Sequence, residues 1–153
     1  MRWRRPRVST MSEPSAADAW RLSVDLPSER GSNRKVTDEL LSQLGVHGWS
    51  PSEIFAIHLA AEEAIVNAIV HGNKLDVRKK VHVECLVSHD IARIEVVDEG
   101  EGFDPAAVPD CTQDERLEAS SGRGVMLMRS FMTRIDYNAK GNGVVLEKQR
   151  SAS

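Results

Sequence analysis

The chain has 153 residues, of which 41% are hydrophobic and 28% are charged, and its formal net charge is −3. This length predicts one domain with a core of its own, and the near-neutral charge gives no overall field that would hold nucleic acid directly. The two cysteines, Cys85 and Cys111, form no CxxC pair, so neither a zinc site nor a disulfide framework is indicated.

The N-terminal segment is basic at first, MRWRRPRVST, and then small and polar, MSEPSAADA. This composition is typical of a disordered tail, which we predict for residues 1–18. A basic arm that touches phosphate or membrane, or a translation start at Met11, are the alternatives. No apolar run approaches the roughly 18 to 20 residues that span a bilayer, and no signal-peptide hydrophobic region is evident, so we expect a cytoplasmic protein without membrane contact.

The next segment predicts a strand and two helices. Residues 21–27, RLSVDLP, alternate apolar and polar side chains as a half-buried strand does, and they stop at a proline. A helix is predicted from Ser28 to about Leu44, with Gly45 as its C-cap. SPSE at 50–53 is a capping box with proline at the first helical position. It predicts a second helix that runs to about His71 and ends at the following glycine.

Two hairpins are predicted in the second half of the chain. Val81 to Val87 and Ile91 to Val97 alternate in the period of strands and are separated by a three-residue polar turn. RIDYNAKGNGVVLEKQ predicts another hairpin around a Gly-Asn-Gly turn. Between the hairpins lie EGFDPAAVPDCTQDERLEASSGRG, which we interpret as a lid loop, and GVMLMRSFM, which predicts a helix.

The element order is therefore β-α-α-β-β-loop-α-β-β. It predicts an α/β (α+β) fold, a two-layer α/β sandwich with helices on one face of a mixed, mostly antiparallel sheet. The domain is predicted to cover residues 19–149, and residues 150–153 form a short tail.

The second helix carries polar side chains within the apolar stretch AAEEAIVNAIVHGN. Four residues of α-helix turn through roughly 400°, so Glu63, Asn67 and His71 rise along one edge. An apolar stripe beside them would pack on the sheet: Ile54, Ile57, Ala61, Ile65 and Ala68. The polar row then lines a cleft at the margin of the sandwich or, in the plainer interpretation, faces solvent. His58, among apolar neighbours, is predicted to be a core or boundary histidine.

Two glycine patterns follow the polar row along the chain. Asp98 stands where a strand ends, and Gly100 and Gly102 come directly after it. SGRG at 121–124 precedes a predicted helix, where backbone N–H groups are suited to holding phosphate. Each pattern alone is weak, because acidic glycine turns close many hairpins and glycines at helix starts often only save space. Three such patterns in this order, on a helix, at a strand end and at a helix start, are a stronger signal than any one of them.

Together, EAIVNAIVHG, DEGEGF and GRGVMLMR resemble the three nucleotide boxes of the GHKL ATPase superfamily, the group of gyrase B and the histidine kinases. Within that superfamily, the short chain and the sequences of the three boxes resemble those of the anti-sigma-factor serine/threonine kinases, whose ATPase domain is histidine-kinase-like. The similarity covers about residues 20–148. It implies a fold of Bergerat type, which agrees with the element order.

The first box implies the catalytic and metal residues. By this resemblance, Asn67 holds the Mg²⁺ that bridges the phosphates of ATP, and an amide oxygen is a reasonable ligand for that ion. Glu63 matches the general base that accepts the proton of an attacking hydroxyl. Glu62 is the adjacent alternative, but it points about 100° away around the helix. His71 matches the family wording or is only a helix-end residue.

The other two boxes imply contacts with the base and the phosphates. Asp98 matches the acceptor for the adenine amino group, Gly100 and Gly102 let the backbone approach the ring, and Phe103 packs beneath it. The last box, whose amides cradle the phosphates, comprises Gly122, Arg123, Gly124 and Val125. Arg123 adds charge to the β- or γ-phosphate or is a solvated cation. The loop from Asp104 to Ser121 would close over the nucleotide.

The activity that the resemblance implies is transfer of the ATP γ-phosphoryl group to a serine or threonine of an anti-anti-sigma (STAS-domain) protein. The same protein would sequester a sigma factor, and the family usually forms homodimers. The first helix is the expected partner surface. Two alternatives stay open: a catalytically silent ATP-binding switch module, and a detached catalytic domain of histidine-kinase type.

Overall fold

The computed structural model describes residues 2–3, 19–101 and 132–150. Within these ranges the chain forms a single sheet of six strands, covered by two α-helices. The strands are β1 Arg2–Trp3, β2 Trp20–Pro27, β3 Lys80–Val87, β4 Ile91–Val97, β5 Arg134–Tyr137 and β6 Gly143–Gln149. The helices are α1 Arg34–Val46 and α2 Pro51–Asn67, and α2 continues into a wide helical turn over Ala68–Gly72.

The strand order is β1-β2-β3-β4-β6-β5, and every pairing among the described strands is antiparallel. Both predicted hairpins are present, with β3 pairing to β4 and β5 to β6. A buried row crosses the central strands from Cys85 through Ile94 to Leu146. This register fixes which side chains face the helices, because neighbouring residues along a strand point to opposite faces.

The core lies between that face of the sheet and the helices. The predicted stripe of α2 is in place, with Ile57, Ala61 and Ile65 fully buried. α1 adds Val36 and Leu40 to the same cluster. Most of the alternate strand positions carry charged or polar side chains on the other face. The fold is therefore the two-layer α/β sandwich that the sequence predicts.

The helical segment Pro51–Gly72 has 22 residues and a hydropathy of 1.4, which is long and apolar enough to cross a membrane by length and composition alone. The core helix of a soluble protein has the same length and composition, and 44% of the most apolar window is buried inside this fold. Its apolar stripe packs against β4 and β6, so burial in the core accounts for its composition.

The prediction for α1 is wrong at both ends. The helix begins at Arg34 rather than Ser28, because residues after β2 form turns, with Gly31 at φ +87. Ser28 is buried and its hydroxyl donates to the Lys79 carbonyl at 2.6 Å, a contact that local sequence does not reveal. Gly45 lies inside the helix, and Gly48, at φ +78, is the residue that adopts the left-handed conformation.

The capping box of α2 is confirmed. The Ser50 hydroxyl accepts from the Glu53 amide at 3.3 Å, and the Glu53 carboxylate accepts from the Ser50 amide at 3.4 Å. Both bonds satisfy N–H groups that a helix start would otherwise leave unpaired. The cap therefore fixes where α2 begins and which of its side chains meet the sheet.

At the edge of the sheet, Arg2 and Trp3 pair with Asp25 and Val24. These two residues form a strand within the segment for which the sequence predicts disorder, because β2 offers them an unpaired edge. Residues 4–18, the predicted lid 104–121 and most of the helix predicted after it lie outside the described residues.

Candidate functional site

The first structural element of the site is the wide turn that ends α2. The Asn73 amide donates to the Ala68 carbonyl, five residues back, at 2.8 Å, and Leu75 donates to Ile69 at 2.9 Å. The prediction of α-helix to about His71 is therefore wrong in its last turn. Such wide turns occur frequently at functional sites. The chain then reverses through Lys74 and Leu75, at φ 53 and 58, and enters β3.

Glu63 interacts with Asn67 and with His71, as the helical spacing predicts. Partial burial raises the pKa of Glu63 above its ordinary value, and the nearby charge of Glu62 adds to that effect. His71 and a hydrogen bond from the Asn67 side chain oppose it. Because the Asn67 amide nitrogen faces Glu63, the carbonyl oxygen of the same amide remains the group suited to a cation.

Glu62 lies on a different side of the helix and is exposed. Its carboxylate is 3.3 Å from the ring of His58, one turn earlier. His58 is partly buried and is the predicted boundary histidine, with an ion-pair partner that the sequence analysis did not name. The two adjacent glutamates thus have different surroundings, and Glu63 is the one beside Asn67.

The end of β4 packs directly against the end of α2. A Cβ placed on Gly72 would lie 2.3 Å from Asp98 Oδ2, and one placed on Gly100 would lie 2.1 Å from the Gly72 carbonyl oxygen. Only glycine allows either approach, since real Cβ atoms do not come so close to other atoms. The structure therefore brings the first two boxes together, and Gly72 is more than the helix end that the sequence predicts.

The Asp98 carboxylate lies within this contact and is held by a backbone hydrogen bond. The Gly100 amide donates to its Oδ1 at 2.8 Å. Burial raises the pKa of Asp98, while the Gly100 hydrogen bond and the charges of Lys140 and Lys79 act in the opposite direction. A half-buried carboxylate with one oxygen bonded and the other against Gly72 is a suitable acceptor for an amino group.

The sequence analysis did not single out two asparagines that fix the Asp98 loop. Asn142 forms two hydrogen bonds with Asp98. The backbone amide of Asp98 donates to the backbone carbonyl of Asn142 at 2.8 Å, and the side-chain amide of Asn142 donates to the backbone carbonyl of Asp98 at 2.8 Å. The Asn73 side chain accepts from the next amide, Glu99, at 2.8 Å. The short loop 138–142 that holds Asn142 gave a turn signal in the sequence, but nothing there indicated its contact with Asp98.

The remaining predicted site residues lie outside the described residues: Gly102, Phe103, Gly122, Arg123, Gly124 and Val125. Their roles stay predictions. In the part of the chain that is described, no group of three or more His, Cys, Asp or Glu side chains could hold a metal ion. The close glycine contacts and the acceptor carboxylate fit an adenine nucleotide.

A family model described as "Histidine kinase-like ATPase domain" matches residues 26–148. The anti-sigma F factor of Oceanobacillus iheyensis is 34% identical over 107 residues, which cover 66% of this chain and 73% of that protein. The anti-sigma F factor of Clostridium perfringens strain SM101 is 34% identical over 103 residues, which cover 63% and 73%.

A solved structure gives the same fold. The RsbU and RsbW domains of Rv1364c from Mycobacterium tuberculosis superpose with a TM-score of 0.57 at 19% identity, over 85% of this chain. The chain spans only 32% of that longer protein, so the match concerns the fold of one part of it. The family match and the anti-sigma F relatives show that the chain belongs to the histidine kinase-like ATPase domain family of the GHKL superfamily, in the branch of the anti-sigma factors.

Proposed function

We propose that this protein is an ATP-dependent serine/threonine protein kinase that regulates a sigma factor. One observation carries the proposal. The helical segment that holds Glu63 and Asn67 ends at Gly72. Gly72 lies directly against Asp98 and Gly100. A base, a cation ligand and an acceptor for adenine are then available along one side of a single site. The family match and the anti-sigma F relatives support the same conclusion.

The nucleotide would be bound by groups with separate tasks. Asp98 accepts a hydrogen bond from the adenine amino group and disfavours guanine, which presents a carbonyl oxygen at that place. Gly72 and Gly100 let the helix end and the Asp98 loop approach each other closely. The Asn67 carbonyl oxygen is the proposed ligand for Mg²⁺. ATP, when bound, supplies the phosphoryl group and most of the charge that must be neutralised.

Glu63 is the proposed general base. Its carboxylate would take the proton of a serine or threonine hydroxyl on the partner protein as the phosphoryl group is transferred. A pKa raised by burial makes a carboxylate a stronger base, and the neighbouring Asn67 fixes its orientation. Glu62 is a poorer candidate because it pairs with His58.

The proposed partners follow from the relatives. Both are named anti-sigma F factors, so we propose that this chain binds a sigma factor in the cytoplasm. The proposed substrate is an anti-anti-sigma (STAS-domain) protein, whose phosphorylation would decide which partner the kinase holds. We also propose a homodimer.

The two adjacent glutamates provide the test. Each of Glu63→Gln and Glu62→Gln is incubated with labelled ATP and the STAS-domain protein encoded nearest to this gene, and Mg·ATP affinity is measured by calorimetry. Glu63→Gln is expected to bind ATP normally and to lose transfer, while Glu62→Gln keeps both. Undiminished transfer by Glu63→Gln would remove the base assignment. A wild type that binds ATP but transfers nothing would instead support the silent switch module.

A further inference from the structure

Asn73 is a buried side chain whose hydrogen-bonding groups are all in use, although nothing in the proposed chemistry requires it. It is 1% exposed and follows Gly72 directly. Its amide nitrogen donates to the Ser28 hydroxyl at 2.9 Å and to the Lys80 carbonyl at 3.0 Å. Its carbonyl oxygen accepts from the Glu99 amide at 2.8 Å. A buried amide bonded on every side fixes the position of whatever it joins.

These bonds join four segments of the chain at one point: the end of β2, the wide turn after α2, the start of β3 and the loop after β4. The Ser28 hydroxyl extends the network to Lys79, and the Glu99 carboxylate accepts from the Lys80 amide. Each segment is therefore held by at least two bonds. The network lies next to the Gly72–Asp98 contact.

We infer that Asn73 is a positioning residue that sets the selectivity of the site for adenine. The inference rests on the proposed function. Asn73 is covalently next to Gly72, and its bonding partner Glu99 is covalently next to Asp98. The side-chain amide of Asn73 therefore links the two sides of the Gly72–Asp98 contact, where a Cβ added to Gly72 would lie 2.3 Å from Asp98 Oδ2. Asn73 itself does not reach the nucleotide.

The chemistry of the site explains why an asparagine is suited to this position. The position needs two donated hydrogens and one acceptor on a short side chain, which asparagine supplies and alanine does not. In Asn73→Ala the Glu99 amide and the Lys80 carbonyl lose their partner, so the Asp98 loop is no longer tied to the helix end. Selection of adenine over guanine depends on where the Asp98 oxygen stands, so a loosened loop discriminates less.

The test measures the ratio of Kd for Mg·GTP to Kd for Mg·ATP by calorimetry, together with Tm, for the wild type, Asn73→Ala, Asn73→Asp and Ser88→Ala. Ser88 is the matched control, since it is 0% exposed and its hydroxyl accepts from the Asp90 and Ile91 amides, both at 3.2 Å, at the other end of the sheet. Asn73→Asp keeps the side-chain volume and the acceptor for the Glu99 amide but loses the two donated hydrogens. It therefore tests the bond to Glu99 separately from those to Ser28 and Lys80, and it keeps the inference falsifiable if the alanine variant does not fold.

Asn73→Ala is expected to lower the ratio by about tenfold or more, because a site loses discrimination when its acceptor is misplaced. Asn73→Asp is expected to stay within about threefold of the wild type, because its oxygen still accepts from Glu99. Ser88→Ala is expected to lower Tm and leave the ratio unchanged. The inference is overturned if Asn73→Ala keeps the wild-type ratio of Kd values. It is also overturned if either Ser88→Ala or Asn73→Asp lowers that ratio as much as Asn73→Ala does. A wild type without preference for ATP would refute the proposed function itself.

Discussion

The two ends of the sheet use buried polar groups in different ways. At the far end, the Trp49 indole donates to the Ser88 carbonyl at 2.9 Å. The Arg150 guanidinium lies over the Trp49 ring, 5.7 Å from its centroid. It also donates to the carbonyls of His47, at 3.1 Å, Gly48 and His89, at 3.3 Å. The cation is thereby surrounded by acceptors, and three loops are tied together.

At the site end, the asparagines are satisfied, but the charges of Lys79 and Lys140 do not fully offset the effect of burial on Asp98. Glu63 and Asp98 both have a pKa raised by burial. Holding two half-buried acids in place destabilises the folded chain, and such perturbed groups are concentrated at functional sites. The polar groups at the far end are therefore matched to partners, whereas the proposed site keeps two carboxylates whose pKa burial raises.

Substitution of the proposed metal ligand should disrupt the site most completely. Asn67→Ala removes the amide that orients Glu63 and would bind Mg²⁺, so calorimetry should detect no binding of Mg·ATP. Asn33→Ala is the control, since Asn33 is a buried asparagine at the start of α1 whose side chain forms no cap hydrogen bond. Unchanged affinity in Asn67→Ala would refute its role as ligand.

A methyl group at the glycine contact should have the next largest effect on nucleotide binding. In Gly100→Ala the new Cβ would lie 2.1 Å from the Gly72 carbonyl oxygen, so the Asp98 loop must move. We expect a loss of about 1–3 kcal/mol in the free energy of unfolding and weaker ATP binding. Gly45→Ala is the control, because a Cβ there has no atom within 4 Å and lies in a helix. It should gain about 0.5–1 kcal/mol. Equal stability of the two variants, measured in urea, would contradict the contact.

The pH dependence of the stability of the unliganded protein tests the same difference between the two ends of the sheet, with a smaller expected effect. Because the folded-state pKa of Asp98 lies above its ordinary value of 3.8, the folded chain holds that proton more tightly than the unfolded chain. Stability is therefore lost as pH rises from the unfolded-state pKa of Asp98 through its folded-state pKa, and the loss persists at neutral pH. Asp98→Asn should remove this loss, so its urea midpoint should exceed that of the wild type more at about pH 7 than at about pH 4. An equal difference at both pH values would show that Asp98 is not destabilising.

Disruption of the far end should have the smallest effect on the site. Arg150→Ala removes the bonds to the His47, Gly48 and His89 carbonyls and the contact with the Trp49 ring. We expect the free energy of unfolding to fall by about 1–3 kcal/mol and the Kd for ATP to stay unchanged. Arg150→Lys, which keeps the charge without the planar fork, should recover little of the loss. A weakened Kd for ATP would contradict the separation of the two ends.

Much of the fold was predictable, because it depends on periodicity and caps. The alternation in β2, β3 and β4 and the capping box of α2 are local signals, and the spacing of Glu63 and Asn67 needs only helical geometry. The wrong predictions depend on long-range contacts. Ser28 leaves the predicted helix to bond Lys79, 51 residues away. The Gly72–Asp98 contact and the Asn73–Glu99 bond, which spans 26 residues, likewise required the fold.

The most direct test of convergence is a titration of ¹⁵N-labelled protein with Mg·ATP, monitored by NMR. It follows the Gly100 backbone amide, in the loop after β4, and the Asn67 side-chain amide, on α2. The account predicts that both signals shift and that both shifts fit one common Kd. Saturating nucleotide that moves neither signal, or only one of them, would contradict the placement of both groups in one ATP site.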